Sequence, residues 1–199
     1  QADINDDGII DFIVLCRYNQ LQCLLGQGDA TYKEVLPLLA TGGSGTERFE
    51  AVDLDNDGHV DLLCSLYDSH RIAIHYGRGD ATFAPPVYLE TAKGPQWIQA
   101  GDWTSNGVHD IYVFCNEAAD AQKSVLFENR GDRRFSPPRY GFAHSRHTAG
   151  LAADLTGEGA LDLVACCMNN DQILVVPGGC EGGLAFERAF TLGEWYSAS

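Results

Sequence analysis

Nine residues, Asp53-Leu-Asp-Asn-Asp-Gly-His-Val-Asp61, recur in altered form three more times along the chain. The copies are Asp3-Ile-Asn-Asp-Asp-Gly-Ile-Ile-Asp11, Asp102-Trp-Thr-Ser-Asn-Gly-Val-His-Asp110 and Asp154-Leu-Thr-Gly-Glu-Gly-Ala-Leu-Asp162. Their first acids lie 50, 49 and 52 residues apart. A period near 50 marks an array of supersecondary units, and a propeller blade of four short strands has about that length.

The loop itself points to a hard cation. In the second copy, carboxylates stand at positions one, three, five and nine, with Gly58 after the third of them. Ca²⁺ takes six to eight oxygens at about 2.3–2.6 Å, and a tight loop of alternating acids supplies them. The glycine allows the sharp turn that brings the ninth residue back. Without a cation, four carboxylates so close would repel one another. The candidate ligands are Asp3, Asn5, Asp7 and Asp11; Asp53, Asp55, Asp57 and Asp61; Asp102, Thr104, Asn106 and Asp110; and Asp154, Thr156, Glu158 and Asp162. The third loop carries only two carboxylates, so it is expected to be weak or empty.

Strands flank each loop. Short apolar segments precede it (Phe49–Val52, Trp97–Ala100, Leu151–Ala153), and near-continuous apolar runs follow it (Phe12–Cys16, Leu62–Leu66, Ile111–Cys115, Leu163–Cys167). Runs of that kind read as strands covered on both faces. A third strand follows a polar turn, then a glycine turn with an aromatic in step: Gly28-Asp29…Tyr32, Gly79-Asp80…Phe83, Gly131-Asp132…Phe135 and Gly182-Gly183…Phe186. A fourth, outer strand closes each unit, often with proline (Pro85-Pro86, Pro137-Pro138), as suits an edge. The predicted fold is all-β, a β-propeller of four four-stranded blades forming one domain over 1–199, with repeats at about 1–48, 49–96, 97–150 and 151–199. Only Gln1 and Ala2 precede the first loop, so the segment Leu192–Ser199 is expected to supply the first blade's missing strand and close the ring. A longer propeller, or two chains building a larger ring, are the rivals.

Composition narrows the partners. The formal charge is −15, and thirteen of the 28 acids lie in the four loops. No basic stripe exists to neutralise phosphates, so nucleic acid is not expected. No apolar run approaches the roughly 18 residues of a membrane span, so no membrane insertion is expected. Neither a basic n-region nor a signal-like apolar segment opens the chain, and Gln1 reads as a mature or trimmed end. Of seven cysteines, Cys16, Cys64, Cys115, Cys166 and Cys167 fall in the strand after the loop and read as small buried hydrophobes. Cys16 and Cys23 are placed to face each other across a hairpin, though a disulfide is not favoured.

The double motif, Asp-x-Asp/Asn-x-Asp-Gly-x-x-Asp followed by an apolar strand and Gly-Asp-Ala-Thr-Phe, resembles the FG-GAP/VCBS repeats of integrin-alpha-like β-propellers. The resemblance covers essentially the whole chain in four copies. It implies Ca²⁺ in the loop between the first two strands of a blade, held by the residues at the loop ends and by Asn5, Asp7, Asp55, Asp57 and Glu158. It also implies adhesion, lectin or enzyme-scaffold roles, without choosing among them.

Two tripeptides, Arg78-Gly79-Asp80 and Arg130-Gly131-Asp132, match an integrin-recognition sequence, but turn chemistry already explains their Gly and Asp. The face opposite the loops is the better candidate for a ligand. It gathers Tyr67, His70, Trp97, Asn116 and Trp195, and aromatic platforms beside amides and acids suit sugars. Phe142-Ala-His144-Ser-Arg146-His147 is the one local cluster that suggests acid–base chemistry, with His144, Arg146 and His147 as weak catalytic candidates. The sequence therefore reads as a Ca²⁺-stabilised, extracellular or secreted module, monomer or homodimer, that binds a glycan or protein. A lyase-like polysaccharide enzyme and a purely structural or oligomerising module are the alternatives.

Overall fold

A computed structural model of the chain describes residues 1–17, 19–37, 39–117, 124–141, 147–155, 157, 159–167, 172–178 and 188–191. These residues form four antiparallel sheets of four strands each, in chain order. Blade one holds β1 (Phe12–Cys16), β2 (Gln20–Gly26), β3 (Tyr32–Val35) and β4 (Leu39–Ala40). Blade two holds β5 (Thr46–Val52), β6 (Asp61–Leu66), β7 (Arg71–His75) and β8 (Val87–Glu90). Blade three holds β9 (Pro95–Gly101), β10 (Asp110–Cys115), β11 (Ser124–Phe127) and β12 (Arg139–Gly141). Blade four holds β13 (His147–Ala153), β14 (Asp162–Cys167), β15 (Gln172–Val176) and β16 (Arg188–Thr191).

Blades two to four share one meander, and each acidic loop is the hairpin between its first and second strands. In blade two, Val52 pairs with Asp61 across that hairpin, and Leu63 then pairs with Ile74. Blade one differs. Both β3 and β4 pair with β2, so they form one interrupted outer strand, and the inner position holds only a bridge from Ala2 to Asp11. The expected closing strand, Leu192–Ser199, lies outside the described residues.

The core lies between blades, because each sheet is apolar on both faces. The first seam joins Ile13, Leu21 and Cys23 of blade one to Leu62, Cys64, Leu66 and Ala73 of blade two. The second joins Leu63, Ile72, Ile74 and Tyr76 to Ile111, Val113, Cys115 and Phe127. The third joins Tyr112, Phe114 and Leu126 to Leu163, Ala165 and Val176. Two cysteine expectations are corrected. Cys64 and Cys115 are buried, but Cys16 is half-buried and Cys166 exposed, since their faces lie at the outer ends of the blade array. Cys16 pairs with Gln20, and Cys23 with Ile13, so those two thiols do not face each other.

Candidate metal loops and the seam between blades two and three

The four loops share one backbone design. Position four has a positive φ in every copy (Asp6 56°, Asn56 60°, Ser105 55°, Gly157 74°), and so does the glycine at position six. That glycine donates its N–H to the first acid: Gly8 to Asp3 at 2.8 Å, Gly58 to Asp53 at 3.0 Å, Gly107 to Asp102 at 2.9 Å and Gly159 to Asp154 at 2.9 Å. The ninth acid is buried and accepts two backbone N–H groups, or three at Asp110, where the Thr104 N–H also donates at 3.1 Å. Asp61 takes Leu54 at 2.9 Å and Gly77 at 2.8 Å; Asp11 takes Ile4 at 2.9 Å and Gly26 at 2.8 Å. Asp110 takes Trp103 at 3.1 Å and Asn129 at 2.8 Å, and Asp162 takes Leu155 at 2.8 Å and Gly178 at 2.9 Å. The ninth acid thus ties the loop to the end of the third strand, a role the sequence does not advertise because its partners are backbone groups.

The second loop has the donor set for a cation. Asp53, Asp55 and Asp61 each place a carboxylate oxygen within 4.8 Å of the others, a spacing that one ion with bonds of about 2.5 Å spans. Asp53 Oδ1 is buried with no hydrogen-bond partner, a cost that a cation would remove. Burial pushes the Asp61 carboxyl up to about 6, against the opposing Gly77 and Leu54 N–H bonds, and the Asp55 and Asp57 charges add to the rise. Burial likewise raises Asp110, partly offset by Asn129 and Thr104.

Arg133, on the glycine turn of blade three, reaches back across the seam. Its guanidinium donates to Asp55 and, at 3.3 Å, to Asp57, and lies 4.2 Å over the Tyr76 ring. In the first and third loops, candidate ligands hydrogen-bond to each other or to nearby backbone. In the first, Asn5 Nδ2 donates to Asp7 at 3.0 Å. In the third, Thr104 Oγ1 donates to Asp110 at 3.1 Å and Asn106 Nδ2 to the Asn129 carbonyl at 2.8 Å. Thr156 and Glu158 of the fourth lie outside the described residues.

Of the ligand-face candidates, three come together on the opposite side. Tyr67 Oη donates to Glu117 Oε1 at 3.0 Å across the seam between blades two and three. His70 Nδ1 lies 3.0 Å from the Tyr67 carbonyl and 3.3 Å from the Gly94 N–H, while the Asn116 N–H donates to the Gly94 carbonyl at 2.8 Å. Lys93 and Glu117 are exposed beside them, and the Glu117 N–H donates to the Lys93 carbonyl at 3.2 Å. Trp97 is corrected: it is 2% exposed and packs edge-on to Tyr112 inside the third seam, because its place on β9 turns it between blades rather than to the rim. Trp195, His144 and Arg146 lie outside the described residues, and of His147 only its place at the start of β13 is described.

Four-stranded blades, each carrying an Asp-rich nine-residue loop, define a repeat β-propeller of the acidic-loop class. The chain belongs to the FG-GAP-like repeat family, whose model matches residues 3–64 and 53–113, more than half of its length. Among solved structures it is similar to an Agrocybe aegerita lectin, described as specifically recognising non-reducing terminal N-acetylglucosamine, with a TM-score of 0.64 at 19% identity over 94% of this chain. The chain spans half of that lectin's length, 50%. No curated protein sequence matches it. Among the described residues, no helix is long and apolar enough to cross a membrane.

Proposed function

We propose that this chain is a glycan-binding β-propeller module whose blades are tied by Ca²⁺ in the acidic loops. The observation that carries the glycan reading is the seam where Tyr67 of blade two meets Glu117 of blade three. A phenol held by a carboxylate, with exposed Lys93 and half-buried His70 and Asn116 around it, offers a flat apolar edge and several polar groups, which is what a sugar ring needs. The fold likeness to a lectin supports this, and it makes a terminal N-acetylglucosamine the first sugar to try.

Ca²⁺ serves here as a tie and not as a reagent. Asp53, Asp55, Asp57 and Asp61 would hold it in the second loop, and Asp3, Asn5, Asp7 and Asp11 in the first. The fully carboxylate second loop is the strongest of the four, and the third the weakest. An extracellular or secreted site fits such loops, and a Ca²⁺ dissociation constant of about 10⁻⁴–10⁻³ M is what extracellular modules show. A much tighter constant, in the range of intracellular buffers, would argue against that location.

Calorimetric titration with oligosaccharides ending in N-acetylglucosamine, beside a panel of other termini, tests the glycan reading. Saturable binding that weakens about tenfold or more in Tyr67→Ala and Glu117→Gln, but not in Ser105→Ala on the loop face, is the expected result. Binding unaffected by both seam changes, or no binding across the panel, would overturn it.

A further inference from the structure

Among the described residues, blade two carries an arginine without an acidic partner. Arg130, Arg133 and Arg139 each pair with a carboxylate. Arg71, the first residue of β7, does not. Its guanidinium lies 3.9 Å over the Tyr88 ring, and its Nε is buried with no hydrogen-bond partner. One terminal nitrogen makes a long contact, 3.5 Å, to the Gly42 carbonyl. Glu90 stands opposite Arg71 in the strand register and Asp68 three residues before it, yet among the described residues neither forms an ion pair with it. A guanidinium has five N–H donors, and a partly buried one with a single weak acceptor bears a desolvation cost that a planar anion would offset.

The surroundings hold this guanidinium in place more than they satisfy it. Tyr88 Oη donates to the same Gly42 carbonyl at 2.9 Å, so ring and cation are fixed to one point of the link between blades one and two. That link passes too close for a side chain: Gly42 has a φ of 91°, and a Cβ there would lie 2.8 Å from Tyr88 Oη. Tyr88 is 37% exposed and Arg71 is half-buried although its Nε is covered, which leaves the terminal nitrogens as the approach for a ligand. Beside the pair, the Ser44 N–H of the link donates to Ser69 Oγ at 3.1 Å, and the two hydroxyls lie 3.3 Å apart. Ser69 belongs to the same turn as Tyr67 and His70, so this site and the Tyr67–Glu117 seam flank one hairpin.

We propose that Arg71 and Tyr88 form a subsite for the carboxylate of an acidic sugar, a uronic acid. The guanidinium, kept flat by the ring beneath it, presents a fork that matches a carboxylate with two parallel N–H bonds. The Ser44 and Ser69 hydroxyls, on the link and the turn that flank it, are neutral partners for ring hydroxyls. The chain's charge of −15 repels anions at long range, so capture here rests on local geometry and not on a general attraction. The sugar character rests on the glycan reading above, whereas the anion character stands on Arg71 and Tyr88 alone.

The Nε–H resonance of Arg71, assigned by its loss in Arg71→Gln, reads the site in the wild-type protein by ¹H–¹⁵N spectroscopy. At constant ionic strength, sodium D-glucuronate is expected to shift it saturably and glucose to leave it unmoved. Acetate and sulfate are expected to need about tenfold higher concentration, since they offer no ring hydroxyls. Followed through the Gly42 and Gly43 amides, glucuronate binding is expected to weaken about tenfold in Tyr88→Ala and in Arg71→Lys, which keeps the charge but not the fork. Arg78→Gln removes an equal charge from the glycine turn of the same blade and is expected to change the affinity less than about twofold. Thermal melts check that each variant folds. No saturable shift with glucuronate overturns the proposal, and so does binding that ignores Arg71→Lys or falls equally in Arg78→Gln. Acetate or sulfate binding as tightly as glucuronate overturns the uronic-acid assignment. Tyr67→Ala is expected to keep the glucuronate shift, which separates a failure of this subsite from a failure of the Tyr67–Glu117 site.

Discussion

The Asp61 carboxylate accepts the Gly77 N–H at 2.8 Å, joining an acidic loop to the end of a strand sixteen residues further on. Asp11 and Gly26, Asp110 and Asn129, and Asp162 and Gly178 repeat the bond in the other blades. A buried carboxylate with two backbone donors cannot be replaced by an amide without turning an NH₂ toward an N–H. Asp61→Asn is therefore expected to cost about 2–3 kcal/mol, with or without Ca²⁺. Asp57→Asn, at an exposed loop position, is expected to cost little in chelator. Chemical denaturation of both variants in chelator checks the difference.

Gly77 is also where the chain passes closest to the loop. A Cβ there would lie 2.2 Å from the Val60 carbonyl oxygen, and the matching Gly26 and Gly178 face Ile10 and Leu161 in the same way, at 2.4 and 2.0 Å. Backbone is the obstacle, so the cost cannot be relieved by a rotamer change. Gly77→Ala is expected to lose about 2–4 kcal/mol in denaturant unfolding, whereas Gly58→Ala, with open space around it, pays only the strain of its positive φ.

Arg133 acts as a built-in counter-ion to the second loop, since it pairs with both Asp55 and Asp57. It is half-exposed, so the pairing stabilises modestly. On the Ca²⁺ reading it also competes with the ion for the same oxygens. Arg133→Gln is expected to lower the melting temperature in chelator and to tighten Ca²⁺ binding several-fold. Calorimetric Ca²⁺ titration and a melt in chelator measure the two arms separately, and unchanged affinity would show that no competition occurs.

His75 gives a pH dependence. It is buried on β7, and burial lowers its pKa below the ordinary 6.5, only partly offset by the Thr41 backbone. The unfolded chain then binds the proton more readily than the folded one, so stability is complete above about pH 6.5 and falls as pH drops toward the lowered value. His75→Leu removes that linkage. The melting temperature of the variant relative to wild type is expected to rise between pH 7 and pH 5, and parallel curves would contradict the assignment.

The repeats made most of the fold legible. Loop, apolar strand and glycine turn each carry side-chain signals at fixed offsets, and four copies reinforce one another. What stayed hidden depends on backbone or on distant partners. The bond from Gly77 to Asp61 has no side-chain signature on the donor. Arg133 stands where the first two turns have Ala30 and Ala81, and its partner Asp55 is 78 residues away. Trp97 was misread because strands covered on both faces carry no alternation to separate the seam from the rim.

The acidic loop is the element that orders every blade, and its cation is tested most directly by a thermal melt with excess Ca²⁺ and with excess chelator. A ligand that binds only the folded state, at a hundredfold over its dissociation constant, stabilises by about 2.7 kcal/mol per site. Wild type is expected to melt several degrees lower in chelator, and Asp57→Asn to lose most of that difference through the second loop. Identical melts of the wild type in Ca²⁺ and in chelator would contradict the reading and leave the loops as turns held by their own backbone hydrogen bonds.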